Sequence, residues 1–235
     1  MLLCERQEIA EFMPVYLKYL FKQGLNLSSV QIINCHAFND ISSIAEKLPL
    51  VPGSEQIRKT VFLADAVPGE LQKRKSMLNA VRSSTYFSKM EYCAHFFFPG
   101  KKSPKRWQQG YFEDMLLQSL DRSVVETGAY QNFYNLTEEY LLCVNNSRGQ
   151  DKPLCNHSRH LLYGYFAATE NFVGMHLGEA ALHGAFNLNH SAFDDLKDLP
   201  KLQLEVAHFL KIKRRKSYRV HSRINHPEFY TPKFF

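Results

Sequence analysis

What the chain lacks narrows its function first. No apolar run approaches the roughly 18–20 residues that cross a bilayer, so no membrane span is expected. The opening stretch MLLCERQEIAEF carries Glu5, Glu8 and Glu11 and has no basic n-region, so it is not expected to be a secretory signal. Five cysteines (Cys4, Cys35, Cys93, Cys143 and Cys155) are scattered without a C-x-x-C. That pattern fits reduced thiols in the cytoplasm better than a disulfide framework. Asn135-Leu-Thr137 is then a chance match to a glycosylation triplet. There is no H-E-x-x-H and no His and Cys set at zinc spacing. His157 with His160, and His176 with His183, read as surface or packing residues. G-x-S-x-G, Walker A and dinucleotide fingerprints are absent too, which argues against an esterase, an NTPase or a Rossmann oxidoreductase. An ATP-driven activity would need a second protein.

What remains is an ordinary globular composition, 45% hydrophobic and 22% charged, over 235 residues. That length allows one large domain or two small ones with a substantial core. The net charge of +6 leans mildly toward nucleic acid or another polyanion. Up to about residue 135, strand and helix patterns alternate. MLLC, SVQIINC (29–35), TVFLA (60–64) and YCAHFFF (92–98) read as strands. Between and after them, residues 7–22 place Ile9, Phe12, Met13, Tyr16, Leu17 and Leu20 at helical spacing, with Pro14 implying a kink or a late start. Gly24 is a plausible stop for that helix. NDISSIAEKLPLV, GELQKRKSMLNAVRSS and YFEDMLLQSL read as further helices. Such alternation predicts an α/β fold with a mostly parallel four-stranded sheet flanked by helices. From residue 136 to 235 only helical patterns appear: 136–146, 156–170, 172–186, 189–199 and 200–211. This part reads as a C-terminal helical subdomain with a basic end.

Ligands of parallel sheets sit beyond the carboxyl ends of the strands. Glu5 follows the first strand and Asp65 the third, and Glu113-Asp114 open the helix after the fourth. Carboxylates gathered at one sheet edge hold Mg²⁺ or Mn²⁺ through oxygen, and such a metal can bind phosphate and activate water. The plainer readings stand beside this one. Asp65 could cap the next helix, Glu113 and Asp114 could answer the helix dipole, and Glu5 could be a surface acid.

The order of these features resembles a TOPRIM domain, the Mg²⁺-binding fold of topoisomerases, primases and OLD-type nucleases. More closely, it is similar to a family of small stand-alone TOPRIM-like proteins of bacteria and archaea. LLCERQE stands where members have a strand ending in Val-Glu-Gly, and IINCHAFNDISSIAEKLPLVPG where they have a strand, a polar loop, a short helix and Leu-Pro-x-x-Pro-Gly. FLADAV stands for a strand ending in Asp-Ala-Asp, and FFFPG…GYFEDMLL for a strand, Pro and a Gly-x-x-Glu-Asp-Leu-Leu helix. HLGEAALHGAFNLNHSAFDDL matches a late Leu-Gly-Glu-Ala-Ala and Phe-Asp pattern. The likeness runs from residue 1 to about 200. Arg6 replaces the glycine after the acid, and Val67 replaces the second aspartate.

The resemblance implies a Mg²⁺-dependent (or Mn²⁺-dependent) nuclease acting on RNA or DNA, as the effector of a phage-defence or toxin system beside an ATPase partner. Glu5 and Asp65 would be catalytic, and Glu5, Asp65, Glu113 and Asp114 would hold the metal. The departures at Arg6 and Val67 support an alternative, a degenerate module that binds a partner protein or nucleic acid without cutting. Lys101, Lys102, Lys105 and Arg106 cluster beside Trp107, the only tryptophan, and could seat phosphates while the indole stacks a base. The other reading is a solvated loop with Trp107 in the core. Lys213, Arg214 and Arg215, within KIKRRK, are a second candidate nucleic-acid contact. Aromatic-rich helices in the last hundred residues leave room for a homo-oligomer or a docked partner.

Overall fold

The computed structural model describes residues 1–20, 30–103, 106–120, 127–148 and 156–198. Four short strands form one all-parallel sheet in the order β2-β1-β3-β4: β1 (Leu2–Cys4), β2 (Ile32–Asn34), β3 (Lys59–Asp65) and β4 (Tyr92–Phe98). All four lie within or beside the predicted runs. β1 and β3 are central and almost wholly buried, as apolar interior strands must be. The chain is therefore α/β, with helices flanking a parallel sheet.

Helix α1 (Gln7–Leu20) buries Ile9, Phe12, Met13, Tyr16 and Leu17, the stripe that its i, i+3, i+4 spacing dictates. It runs through Pro14 without the late start that the sequence suggested; Gly24, the expected stop, lies outside the described residues. Helix α2 (Asp40–Lys47) passes into a 3₁₀ turn at Leu48–Leu50, where Pro49 breaks the α pattern. Asn39 is its N-cap residue but makes no side-chain cap bond. Helix α3 (Leu71–Arg82) lies between β3 and β4 in the chain. Within the segment read as a basic loop, two short strands pair antiparallel, β5 (Lys101–Ser103) with β6 (Arg106–Trp107). Helix α4 (Phe112–Gln118) follows.

The later half holds α5 (Thr127–Arg148), α6 (His157–Ala168) and α7 (Leu177–Leu182). Residues 172–186 do not form one helix. Only Leu177–Leu182 is α-helical, because Gly174 and Gly184 bend the backbone at positive φ on either side. Residues 191–198, also read as a helix, form 3₁₀ turns. Helix α6 packs on α4 and α5, and α7 packs on α1. Gly178 permits that last approach, since a Cβ there would overlap the Glu11 backbone carbonyl. Residues Met1–Pro200 form one compact unit, so the change of character near residue 135 falls inside it. Among the described residues, no helix is long and apolar enough to cross a membrane.

Candidate functional site

Strand register brings the predicted acids together. Cys4 lies abreast of Leu63 in the β1–β3 ladder, and the next amide, Glu5 N–H, donates to Leu63 O at 2.9 Å. Glu5 thus leaves β1 beside the end of β3, where Asp65 is the last residue. The ladder continues one step further. Ala66 N–H donates to Phe98 O, and Gly110 N–H donates to Ala66 O, which ties the start of α4 to the same edge. Gly110 has φ +152°, and a Cβ there would run into the Asp114 carboxylate and Pro99. That is a physical reason for glycine at the head of GYFED.

Glu5, Asp65 and Glu113 are all buried, with Glu113 at 0% exposure. Their partners are protein donors. Glu5 Oε2 accepts from the Asp65 amide at 2.8 Å, and both Glu5 oxygens accept from Arg74 Nη1, at 2.8 and 2.9 Å. Arg74 is itself anchored by Glu70 through Nε at 3.0 Å and lies over the Phe38 ring. Glu113 takes a two-pronged contact from Arg6, Nη1 to Oε1 at 2.9 Å and Nη2 to Oε2 at 2.8 Å. Asn156 Nδ2 adds a third donor at 3.0 Å. Asp65 Oδ1 accepts from the Phe112 amide at 2.8 Å, and its Oδ2 lies 3.0 Å from Arg6 Nε. Asp114 closes a capping box at the start of α4, accepting from Tyr111 N–H at 2.7 Å, and also accepts from the Ser158 hydroxyl. Seven of the eight carboxylate oxygens accept a hydrogen bond, and the eighth faces a guanidinium.

Burial and nearby charge act together on Asp65 and Glu113. Three buried carboxylates face two guanidinium groups, so one carboxylate is in excess. Burial pushes the Asp65 carboxyl up to about 8, and the charges of Glu5 and Glu113 add to it against what Arg6 and the Phe112 amide return. Glu113 goes the other way. Burial would raise it, but the Arg6 hydrogen bond and charge, helped by Asn156, hold it below the usual range. The geometry agrees: both Arg6 Nη groups serve Glu113, while Arg6 Nε is close to Asp65 yet makes no hydrogen bond. Of these acids, Asp65 is the one that burial pushes toward its protonated form.

A stability consequence follows from that shift. The folded pKa of Asp65 lies above its unfolded value, so its contribution is fully present below about pH 4 and is lost as pH rises through about 8. Wild-type stability is expected to fall relative to Asp65→Asn as pH rises from about 6 to about 8, with a limit near 1.4 kcal/mol per pH unit for one proton. Urea unfolding of both proteins across that range checks this. An unchanged difference would rule out a protonated Asp65.

The donor set does not fit a divalent ion as it stands. Mg²⁺ needs free, hard oxygen ligands in near-octahedral order, and here those oxygens are committed to cations and amides of the chain. Among the described residues, no group of three or more His, Cys, Asp or Glu is arranged to hold a metal. Glu5, Asp65 and Glu113 do converge as the sequence suggested, whereas Asp114 serves the helix cap. Arg74 and Asn156 went unnoticed in the sequence. Arg74 carried one signal, its i+4 spacing from Glu70. Asn156 carried another, since an Asn three residues before Arg159 on an apolar helix is a cap, and its Oδ1 does accept from Arg159 N–H at 2.9 Å.

Of the basic candidates, Lys101 is described fully. Its amide donates to Asp195 and its ammonium lies 5.2 Å from the Trp107 ring centroid. Only the backbone of Lys102 and Arg106 is described, in β5 and β6. Lys105, Lys213, Arg214 and Arg215 lie outside the described residues. Trp107 is partly buried against the core, its ring meeting Phe96 and Phe97 edge-on at 5.2 and 5.7 Å. That placement favours the packing role over an open stacking platform. An open cavity of about 670 Å³ between α2 and α3, lined by Ser42, Ala45, Met77, Val81 and Tyr86 among others, shares no residue with the acid cluster. His176 caps α7, its Nδ1 accepting from Glu179 N–H. No family model, curated protein or solved structure matches this chain.

Proposed function

We propose that this protein is a TOPRIM-like module that binds nucleic acid or a partner protein without cutting it. One observation carries the reading. The oxygens of Glu5, Asp65 and Glu113 that would ligate a metal are engaged instead by Arg6, Arg74, Asn156 and two backbone amides. The guanidinium charges of Arg6 and Arg74 face the three carboxylates that a metal would need. Arg6, the departure from the glycine of the resembled motif, supplies one of those charges.

The second reading is the Mg²⁺-dependent nuclease, working with an ATPase in phage defence or as a toxin. Convergence of three carboxylates at one sheet edge favours it. It requires both guanidinium groups to leave before a metal enters, exposing charges that are costly to bury alone.

The two readings separate in one experiment. Purified protein is melted in EDTA, Mg²⁺ and Mn²⁺, and incubated in parallel with tRNA, single-stranded RNA and plasmid DNA. The binding module shows no rise in Tm with either ion, because a ligand stabilises only what it binds, and it leaves the nucleic acids intact. Metal-dependent cutting that disappears in Glu5→Gln would overturn it in favour of the nuclease.

A further inference from the structure

A second charged cluster lies away from the acids, where α3 meets the edge strand β4. Lys75 and Arg82 are seven residues apart on α3, two turns along the helix, and so share a face. Arg82 Nη1 lies 3.4 Å from His95 Nδ1 on β4. His95 also packs beside Phe97 and Trp107, at ring distances of 5.2 and 6.3 Å, and Lys101 approaches from β5 over Trp107. Burial comes first in lowering the His95 imidazole to about 4, and the charges acting on it with burial are all positive: Arg82, Lys75 and Lys101. His95 gives these cations no countercharge in either protonation state.

Four other arginines contrast with this. Arg6, Arg58, Arg74 and Arg159 each face a carboxylate. Among the described residues, Lys75, Arg82 and Lys101 have no carboxylate within ion-pair distance of their side chains, and the neighbours Arg82 does meet, His95 and Cys93, carry no carboxylate. Like charges so gathered repel one another, and an anion beside them relieves that repulsion. Lys75 and Arg82 are about 10 Å apart along the helix axis, so a ligand reaching both and Lys101 is elongated and multiply charged.

We infer that the α3–β4 face, through Lys75, Arg82 and Lys101, binds the phosphate backbone of a single-stranded nucleic acid. This rests on the binding reading above and names its partner. A phosphodiester strand supplies an anion at every repeat whatever its sequence, and phosphate suits the fork of Arg82. Trp107 takes no part in stacking a base, since its ring is packed against Phe96 and Phe97. The protein is expected to prefer charge over sequence.

The test is fluorescence anisotropy of the full-length protein with labelled single-stranded RNA and DNA, between about 50 and 200 mM salt. Wild type should bind, more weakly as salt rises. Lys75→Glu with Arg82→Glu should weaken binding at least about tenfold and flatten the log–log salt dependence by about 0.7 for each phosphate left unneutralised. Lys47→Glu, at the end of α2, should leave both unchanged. If the reversals lower Tm, the milder pair Lys75→Gln and Arg82→Gln carries the same expectation with a smaller loss. Binding that ignores these substitutions would overturn the inference, and so would a wild type that binds poly-glutamate but neither strand. Should the strand be cut in Mg²⁺ while binding still depends on Lys75 and Arg82, the binding-only reading falls and this inference stands.

Discussion

Arg6→Ala is expected to destabilise the protein by about 3–5 kcal/mol, the usual cost of breaking a buried ion pair from one side. Glu113 is fully buried and would keep only Asn156 as a side-chain donor, and Asp65 would lose the nearest positive charge. Most of the cost is the unpaired Glu113 carboxylate rather than the lost attraction. Arg6→Met combined with Glu113→Gln should therefore recover much of the loss, because it removes both charges together. The alanine variant should still show no rise in Tm when Mg²⁺ or Mn²⁺ is added, because Arg74 keeps both Glu5 oxygens. Urea denaturation and thermal melts check each part. A loss below about 1 kcal/mol would place Arg6 among ordinary surface ion pairs and remove the basis for treating it as the balancing charge.

Phe12→Ala should cost a similar amount, about 3–5 kcal/mol, through cavity formation. Phe12 is wholly buried, and its ring meets Tyr16, Phe112, Phe186 and Phe193 at centroid distances between 5.2 and 6.1 Å. It thereby links α1 to the first residue of α4 and to the two late segments that carry Phe186 and Phe193. Phe112 also packs on Phe98, 4.8 Å away, while its amide holds Asp65. A void beneath Phe112 thus loosens the acid cluster as well as the core. Equilibrium unfolding measures the effect, and a loss under about 1 kcal/mol would contradict the close packing of these rings.

The sheet was legible because its signals are local. Each strand is a short apolar run, and the central ones had to be apolar on both faces. Glu5 and Asp65 could be placed at strand ends from position alone, and parallel topology then brings such ends to one edge. Their partners could not be read in this way. Arg74 lies 69 residues from Glu5, and Asn156 lies 43 from Glu113; no spacing rule joins them, because tertiary packing decides which donors reach a buried carboxylate. Arg6 was visible as a departure from the resembled motif, but its bidentate grip on Glu113 depends on where α4 starts. The basic stretch from residue 101 looked like a loop on composition, and the antiparallel pairing of Lys101–Ser103 with Arg106–Trp107 overrode that. The stretch from 172 to 186 kept a helical pattern of apolar residues, yet the backbone requirements at Gly174 and Gly184 confined the helix to six residues.

Asn156 does two things with one amide. Its carbonyl oxygen caps α6 through the Arg159 N–H, and its nitrogen donates to Glu113. The first turn of a 12-residue helix is thus fastened to a buried charge. Any change that rotates Glu113 away pulls on that cap, and any shift of α6 is felt by Glu113 and through it by Arg6 and Asp65. The cluster at the sheet edge and the helix outside it are a lever with its fulcrum at Asn156.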